Sequence, residues 1–296
     1  MKTLLATCLI AGSFLAVSAQ DPQPAGDTLW DVNGIMSLNA SQLAFSPQWA
    51  SGGESSLSGN ALVNLAANYR NPDSTLTWAN ELTLGYGLIK QGEDPVRKSD
   101  DKINFASKVG YRASKYWYYS GLVSFKSQFT EGYANPGDVD RTKISNFFSP
   151  AYLNISGGMD FKPGDNFTML LAPVTGKITF VMDDELAATG AFGVEPGNNA
   201  RAEFGGYAKF AYKKEILKNV ILNTKLDLFT NYLDEPQNID VNYDLMLTFK
   251  VNEYISASFI AEFIYDHDIK FELEDGGMGP ALQWKEQFGL GLTYSF

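Results

Sequence analysis

An all-β transmembrane barrel, antiparallel and up-and-down with about twelve strands, is the fold this sequence predicts. Three observations predict it. Long runs alternate apolar and polar residues at period two, and most are about twice the roughly five to six residues usual for a soluble strand. The links between them are alternately short and long. The final run, Trp284 to Phe296, carries Trp284, Phe288, Leu290, Leu292, Tyr294 and Phe296 on one parity and Lys285, Gln287, Gly289, Gly291, Thr293 and Ser295 on the other. Successive side chains leave a strand on opposite faces, so one face is apolar and the other small or polar. That run is longer than the roughly 9–11 residues with which a tilted strand crosses hydrocarbon.

The chain opens with Lys2, an apolar run from Leu4 to Val17, and Val17-Ser18-Ala19 before Gln20. This is the order of a secretory signal peptide. Residues 1–19 are therefore read as a leader, 20–29 as a short periplasmic tail and 30–296 as the barrel. Cys8 falls inside the apolar run, too early for a lipoprotein box, and no cysteine follows it. Disulfide and thiol chemistry are excluded from the mature chain. Loss of Lys2 takes the formal net charge from −11 to −12, which argues against a nucleic-acid partner, whose phosphates require clustered Lys and Arg. After the leader no apolar run approaches the roughly 18 residues of a membrane helix, yet 45% of residues are hydrophobic and 14% aromatic. Lipid-facing residues interleaved with polar ones give that combination.

Taken in order, the first run alternates from Trp30 and changes parity near Gln42. The second sets Leu57, Ala61, Val63, Leu65 and Tyr69 against Ser58, Asn60, Asn64 and Asn68, and the third Leu76, Trp78, Leu82, Leu84 and Tyr86 against Thr77, Glu81 and Thr83. The fourth and fifth place Ile103, Phe105, Val109 and Tyr111, then Trp117, Tyr119, Val123 and Phe125, opposite Lys108, Arg112, Ser120, Ser124 and Lys126. The sixth is Ala151 to Phe161. The seventh, Phe167 to about Met182, is interrupted by Pro173, which removes a ladder donor, and by Gly176. Runs eight to eleven are Arg201 to Tyr212, Val220 to Tyr232, Val241 to Lys250 and Ile255 to Tyr265.

Short links follow the even runs, at Asn71-Pro72-Asp73, Ala113-Ser114-Lys115, Pro163-Gly164-Asp165, Lys214 to Asn219 and Val251-Asn252-Glu253. Longer ones follow the odd runs: Ser46 to Ser55, Gln91 to Asp101, Thr130 to Ser149, Asp183 to Ala200, Leu233 to Ile239 and His267 to Leu282. Bacterial barrels keep short turns on the periplasmic side and long loops outside, and an even strand count returns both termini to the periplasm. Tyr69, Trp78, Tyr111, Trp117, Phe161 and Phe167 gather near the short turns as an interfacial belt.

The segment Trp49-Ala50-Ser51-Gly52-Gly53-Glu54-Ser55-Ser56, with Trp30-Asp31, Trp78-Ala79-Asn80 and Gly190-Ala191-Phe192-Gly193-Val194, resembles an uncharacterised outer-membrane β-barrel family of Bacteroidota, a domain of unknown function. The resemblance covers about Asp27 to Phe296 and implies a barrel without naming an activity. Gly291, Tyr294 and Phe296 resemble the closing signal read by the barrel-assembly machinery. Gly289 stands where that signal usually has a polar residue.

The polar parity points Glu81, Lys108, Arg112, Lys126, Asp160, Lys209, Lys225, Asp227, Asp244, Lys250, Glu262 and Asp266 into the lumen. Unpaired buried charges are costly, so the charges either pair as a plug or line a wet conduit. Twelve strands lie between the roughly eight that fill a barrel and the sixteen that leave an aqueous channel, which favours a narrow or partly plugged lumen. Leu186, Phe192 and Val194 lie in an apolar stretch of a long loop that is able to fold into the mouth as a constriction or lid, and long loops are disproportionately functional. Asp100-Asp101, Asp183-Asp184-Glu185 and Glu272 to Asp275 lack calcium-loop spacing and are read as solvated loop acids, with no metal and no cofactor expected. The one histidine, His267, stands between Asp266 and Asp268. Some outer-membrane hydrolases hold a general base at such a rim, and no serine partner can be assigned to it here.

The tail is too short for a plug domain, and no peptidoglycan-binding segment follows Phe296. These features disfavour an energised transporter and a tethered porin. The reading is an outer-membrane barrel that is a narrow or gated pore, or a binder, for a small solute, in contact with outer-membrane lipid and lipopolysaccharide. A structural or surface-interaction barrel with a filled lumen is the alternative, and a hydrolase using His267 the third.

Overall fold

The computed structural model describes residues 29–45, 54–134, 137, 141–273 and 276–296. The leader, residues 20–28 of the tail, and Trp49, Gly52 and Gly53 lie outside the described residues.

Twelve strands pair antiparallel, each with its sequence neighbours, into one closed barrel. They are β1 (Trp30–Leu43), β2 (Ser56–Arg70), β3 (Leu76–Gln91), β4 (Arg97–Arg112), β5 (Trp117–Ser127), β6 (Ala151–Phe161), β7 (Phe167–Phe180), β8 (Ala200–Leu217), β9 (Val220–Asn231), β10 (Ile239–Lys250), β11 (Ile255–Tyr265) and β12 (Gln283–Ser295). β12 returns to β1 with Ser295 opposite Ile35 and Gly291 opposite Asn39. Gly34 and Phe296 exchange backbone hydrogen bonds of 2.9 and 3.1 Å at that seam.

The solvation is inverted relative to a soluble protein, whose charged residues are seldom buried. Leu38, Tyr119, Trp284 and Phe288 point outward at 60–70% exposure, whereas Asp160, Lys177, Glu203 and Asp227 are buried. Alternation along each strand accounts for both, because the parity that turns apolar groups out turns polar ones into the lumen. A barrel of this kind is solvated by hydrocarbon. Aromatic contacts link β1 to β2 and β3, and β5 to β6, near the short turns: Trp30 lies 5.3 Å from Tyr69 and 5.5 Å from Trp78, and Trp117 lies 4.8 Å from Phe161. At the first short turn Asp73 accepts from the Thr75 amide (3.1 Å) and hydroxyl (2.8 Å). Those bonds hold its carboxyl below the ordinary aspartate value.

Two links and one run differ from expectation. The one predicted at Gln91 to Asp101 is mostly strand, since β3 runs to Gln91 and β4 begins at Arg97. The stretch Arg97 to Lys102 is polar on both parities and shows no alternation, so its ladder was invisible to periodicity. Asp100 and Asp101 are accordingly strand residues and not solvated loop acids. The link at Lys214 to Asn219 shrinks to two residues as β8 continues to Leu217. The Pro173 interruption proves to be a bulge: β6 and β7 pair across it with a register shift between Gly157 and Met159, which accommodates the missing proline donor. Gly158 sits in that shift, where a Cβ would lie 2.0 Å from the Leu171 carbonyl oxygen.

At the long-loop end, Gly132–Tyr133 pairs with Lys143–Ser145 and Phe271–Glu272 with Met278–Gly279. The loop after β7 folds into a helix, α1 (Asp184–Thr189), and a 3-10 turn at Ala191–Gly193.

Candidate functional site

The lumen is the candidate site, and it is braced by ion pairs at three heights. Nearest the short turns, Glu81 of β3 pairs with Lys225 of β9. Lys108 of β4 reaches Asp160 of β6 at 2.8 Å, and Lys162, just past β6, reaches the same oxygen at 3.2 Å. A cavity of about 1110 Å³ occupies this end, with Lys108, Lys162, Lys209, Lys225 and Glu81 in its wall and Arg70, Pro72, Gly164 and Asp165 at its mouth.

At mid-height, Asp227 of β9 accepts from the Tyr207 hydroxyl and from Lys209, each at 2.8 Å, while Lys126 stands 3.5 Å away. Leu122, Leu170, Ala172, Tyr207 and Phe229 pack here as an apolar cluster. These residues come from β5, β7, β8 and β9, so they close one side of the lumen above the cavity. Lys177 lies 4.9 Å over the Phe229 ring, which suits a cation against an aromatic face.

Toward the long loops, two knots complete the filling. Lys285 of β12 joins Asp100 (2.9 Å) and Glu262 (2.7 Å), and Lys102 of β4 joins Glu262 at 2.5 Å. The second knot centres on Lys177 of β7, which meets Asp240 at 2.7 Å, Glu203 at 3.4 Å and Asp266 at 3.6 Å. Arg201 adds Glu203 (3.3 Å) and Asp268 (2.5 Å). The charge along the lumen is therefore uneven. Five lysines meet three carboxylates in the two layers nearest the short turns, whereas six carboxylates meet four cations in the layer nearest the long loops. Among the described residues no group of three or more His, Cys, Asp or Glu is arranged to hold a metal ion; the carboxylates are engaged by lysine and arginine.

The long loops tie together above this layer. Asp183 caps α1 through the amides of Glu185 and Leu186, at 3.1 and 3.2 Å, and takes Asn146 (2.8 Å) and Lys143 (2.9 Å) on its other oxygen. The Asn146 and Lys143 bonds hold its carboxyl down at about 2. Lys143 is raised in turn, by Asp183 and then by Glu185. Arg201 donates to the Gly193 carbonyl at 3.3 Å, which anchors the 3-10 turn beside Asp268.

The individual candidates fall as follows. Glu81, Lys108, Lys126, Lys209, Lys225, Asp227 and Glu262 all stand in the ion pairs just described. Arg112 is at the exposed short-turn rim, donating to the Tyr118 hydroxyl at 3.4 Å. Asp244 lies beside Lys225 in the β9–β10 register without an ion pair, and Lys250 is exposed at the end of β10. Leu186 and Val194 are buried with Val181 and Ala187, and Phe192 packs against that cluster. This gives the loop a small core of its own. Gly291, Tyr294 and Phe296 lie on or beside the seam.

His267 has the Tyr265 hydroxyl 3.5 Å from Nδ1 and Glu235 3.7 Å from Nε2. Asp266 and Asp268 turn instead to Lys177 and Arg201, so neither forms a dyad with the histidine.

Sequence reasoning missed Asp100, Lys102, Lys162, Lys177, Arg201, Glu203, Asp240 and Lys285. Lys285 was legible, because its parity in the closing strand places it inward next to Glu262. Lys177 was hidden by the Pro173 bulge and Asp100 by the unrecognised start of β4.

A family model described as a protein of unknown function (DUF3078) matches residues 40–133. No curated protein matches the chain in sequence. Among solved structures, the COG4313 outer membrane channel from Pseudomonas putida F1 is similar at 14% identity and TM-score 0.39, over 89% of this chain and 93% of that one. The translocator domain of the autotransporter NalP from Neisseria meningitidis is similar at 10% identity and TM-score 0.38, covering 92% and 90%. Outer membrane phospholipase A from Escherichia coli is similar at 12% and 0.37, covering 93% and 94%.

Proposed function

We propose that this chain is a β-barrel of a Gram-negative outer membrane that admits a small solute to a chamber on its periplasmic side and passes it only when the luminal ion pairs part. The observation that carries the reading is the cavity of about 1110 Å³, open at the short-turn end and blocked above by side chains from nearly opposite walls. Short turns mark the periplasmic side of bacterial barrels. A barrel filled only for strength needs no such chamber. The lowest pair of the blockade, Glu81 with Lys225, is partly exposed beside a wet space, and a pair of that kind exchanges for water at small net cost. On this reading the apolar exterior meets outer-membrane lipid, the acidic long loops face lipopolysaccharide, and the closing strand engages the barrel-assembly machinery.

Planar-bilayer recording tests the proposal. Small, intermittent, salt-dependent conductance steps are expected from the purified barrel, with larger and longer ones once Glu81 and Lys225 are both replaced by alanine. A correctly folded barrel that stays silent in both forms overturns the conduit and leaves a filled structural barrel.

That second reading has one observation in its favour, the mutual anchoring of the long loops through Asp183 and Arg201, which presents a fixed outer surface. The hydrolase reading loses its dyad, since Asp266 and Asp268 serve Lys177 and Arg201. A His267→Ala variant with unchanged lipid or peptide cleavage removes it altogether.

A further inference from the structure

Lys108, Lys162 and Tyr118 of the chamber wall belong to one cluster in which two cations share a single carboxylate. Asp160 is fully buried and among the described residues is the only carboxylate that Lys108 and Lys162 pair with, the two ammonium groups sharing one oxygen at 2.8 and 3.2 Å while Lys108 also donates to the other at 2.9 Å. Lys162 Nζ lies 5.0 Å over the Tyr118 ring, and the Arg112 guanidinium lies 5.8 Å over the same ring. Arg112 makes no ion pair among the described residues. Three cationic groups thus gather round one aromatic ring and one carboxylate, and Lys209 lines the same cavity. Two residues beyond Tyr118 on the same face of β5, the buried hydroxyl of Ser120 has no hydrogen-bond partner.

Asp31 and Asp165 also line the chamber but pair with none of these cations among the described residues, so two ammonium groups that share one carboxylate keep donors free for an incoming anion. Paired ammonium and guanidinium groups are the donors that carboxylate and phosphate oxygens take in charge-assisted hydrogen bonds. The chamber is not purely ionic, because Ala106, Tyr118 and Leu122 line it beside the cations. An apolar wall with a few convergent polar groups is the usual make-up of a small-molecule site. We propose that Lys108 and Lys162 on the chamber wall, with Arg112 over the Tyr118 ring at its rim, form an anion subsite, which receives the carboxylate or phosphate of a small organic anion from the periplasm while its body lies against Tyr118 and Leu122. This deepens the conduit reading and rests on it for the assignment of the chamber to the periplasmic side.

The test is titration calorimetry on the full-length barrel in detergent, with benzoate, inorganic phosphate and benzylammonium as probes. Benzoate and phosphate are expected to bind, benzoate the more tightly, with affinity falling as salt rises; benzylammonium is not. Lys162→Met, in a turn, and Arg112→Gln, at the rim, are each expected to weaken benzoate at least tenfold while the barrel keeps its heat-shifted gel migration. Lys218→Met, in the turn between β8 and β9, is expected to bind as wild type. Equal binding of benzylammonium, no binding of either anion, or full affinity in both the Lys162 and Arg112 variants overturns the subsite. Conductance steps from a barrel that binds neither anion sink the subsite and leave the conduit standing. Benzoate binding by a barrel silent in bilayers sinks the conduit and leaves the subsite.

Discussion

Glu81 on β3 and Lys225 on β9 form an ion pair across the full width of the lumen, their strands six apart in a ring of twelve. Lys102 on β4 and Glu262 on β11 do nearly the same at a second height. Cross-lumen pairs of this kind connect walls that the strand ladder joins only through many intervening strands. They fix the cross-section of the barrel and at the same time obstruct it.

Replacing both Glu81 and Lys225 by alanine is expected to lower stability by only about 1 kcal/mol, because the pair borders a wet chamber where ionic contacts are screened. Its effect on passage should be larger. Bilayer conductance is expected to rise severalfold, while the thermal midpoint moves by a few degrees. A large loss of stability with unchanged conductance would show the pair to be purely structural.

Leu170 is 1% exposed at the centre of the mid-height apolar cluster. Leu170→Ala removes atoms that the lumen wall cannot collapse to replace, and such truncations cost about 2–5 kcal/mol. The urea midpoint of the folded barrel is expected to fall accordingly. Leu171→Ala, on the lipid face of the same strand, should cost less, since lipid chains refill the space.

The barrel was legible in the sequence wherever one parity was apolar, and illegible where both parities were polar. Runs such as Ile255 to Tyr265 coincide with their strand to the residue, because every second side chain meets lipid. Arg97 to Lys102 faces neither lipid nor a continuous core, so nothing in its composition betrays the strand. The inward direction of Lys108, Lys225 and Glu262 was visible from alternation alone. Their partners were not, since Asp160, Glu81 and Lys102 come from other walls, and which walls face one another depends on closure and strand tilt. The bulge at Pro173 reversed the parity on which Lys177 would have been found.

Asp183 is expected to latch the outer loops over a wide pH range. Its carboxyl is held at about 2 in the folded chain, below its unfolded value near 3.8. The latch therefore contributes stability fully above about pH 4, and loses it as pH falls toward 2. Lys143 is raised above 10.5, so its share is present below that pH and is lost only above it. Limited proteolysis of the loop between β7 and β8 should thus be equally slow from about pH 5 to 9. Asp183→Ala also removes the α1 cap, which costs about 1 kcal/mol, and should speed cleavage there severalfold at every pH in that range. A rise in cleavage between pH 5 and 7 in the wild type would contradict the assignment.

The β1–β12 seam pairs from Gly34 to Asn39, whereas β1 pairs with β2 along its whole length from Trp30 to Leu43. Closure therefore rests on few ladder positions, and Gly291 is one of them. A Cβ at Gly291 would lie 2.2 Å from the Leu38 carbonyl oxygen and 2.8 Å from Asn39 Cα. Both are backbone atoms of the opposing strand, which cannot move aside without breaking the ladder. At Gly289 the nearest atoms belong to the Asn39 side chain, at 3.2–3.4 Å, and a side chain can rotate away. Gly291→Val is thus expected to leave most of the refolded protein without the heat-shifted band of a closed barrel, while Gly289→Ala closes nearly as well as wild type. Equal closure of the two variants would mean that the seam is held elsewhere.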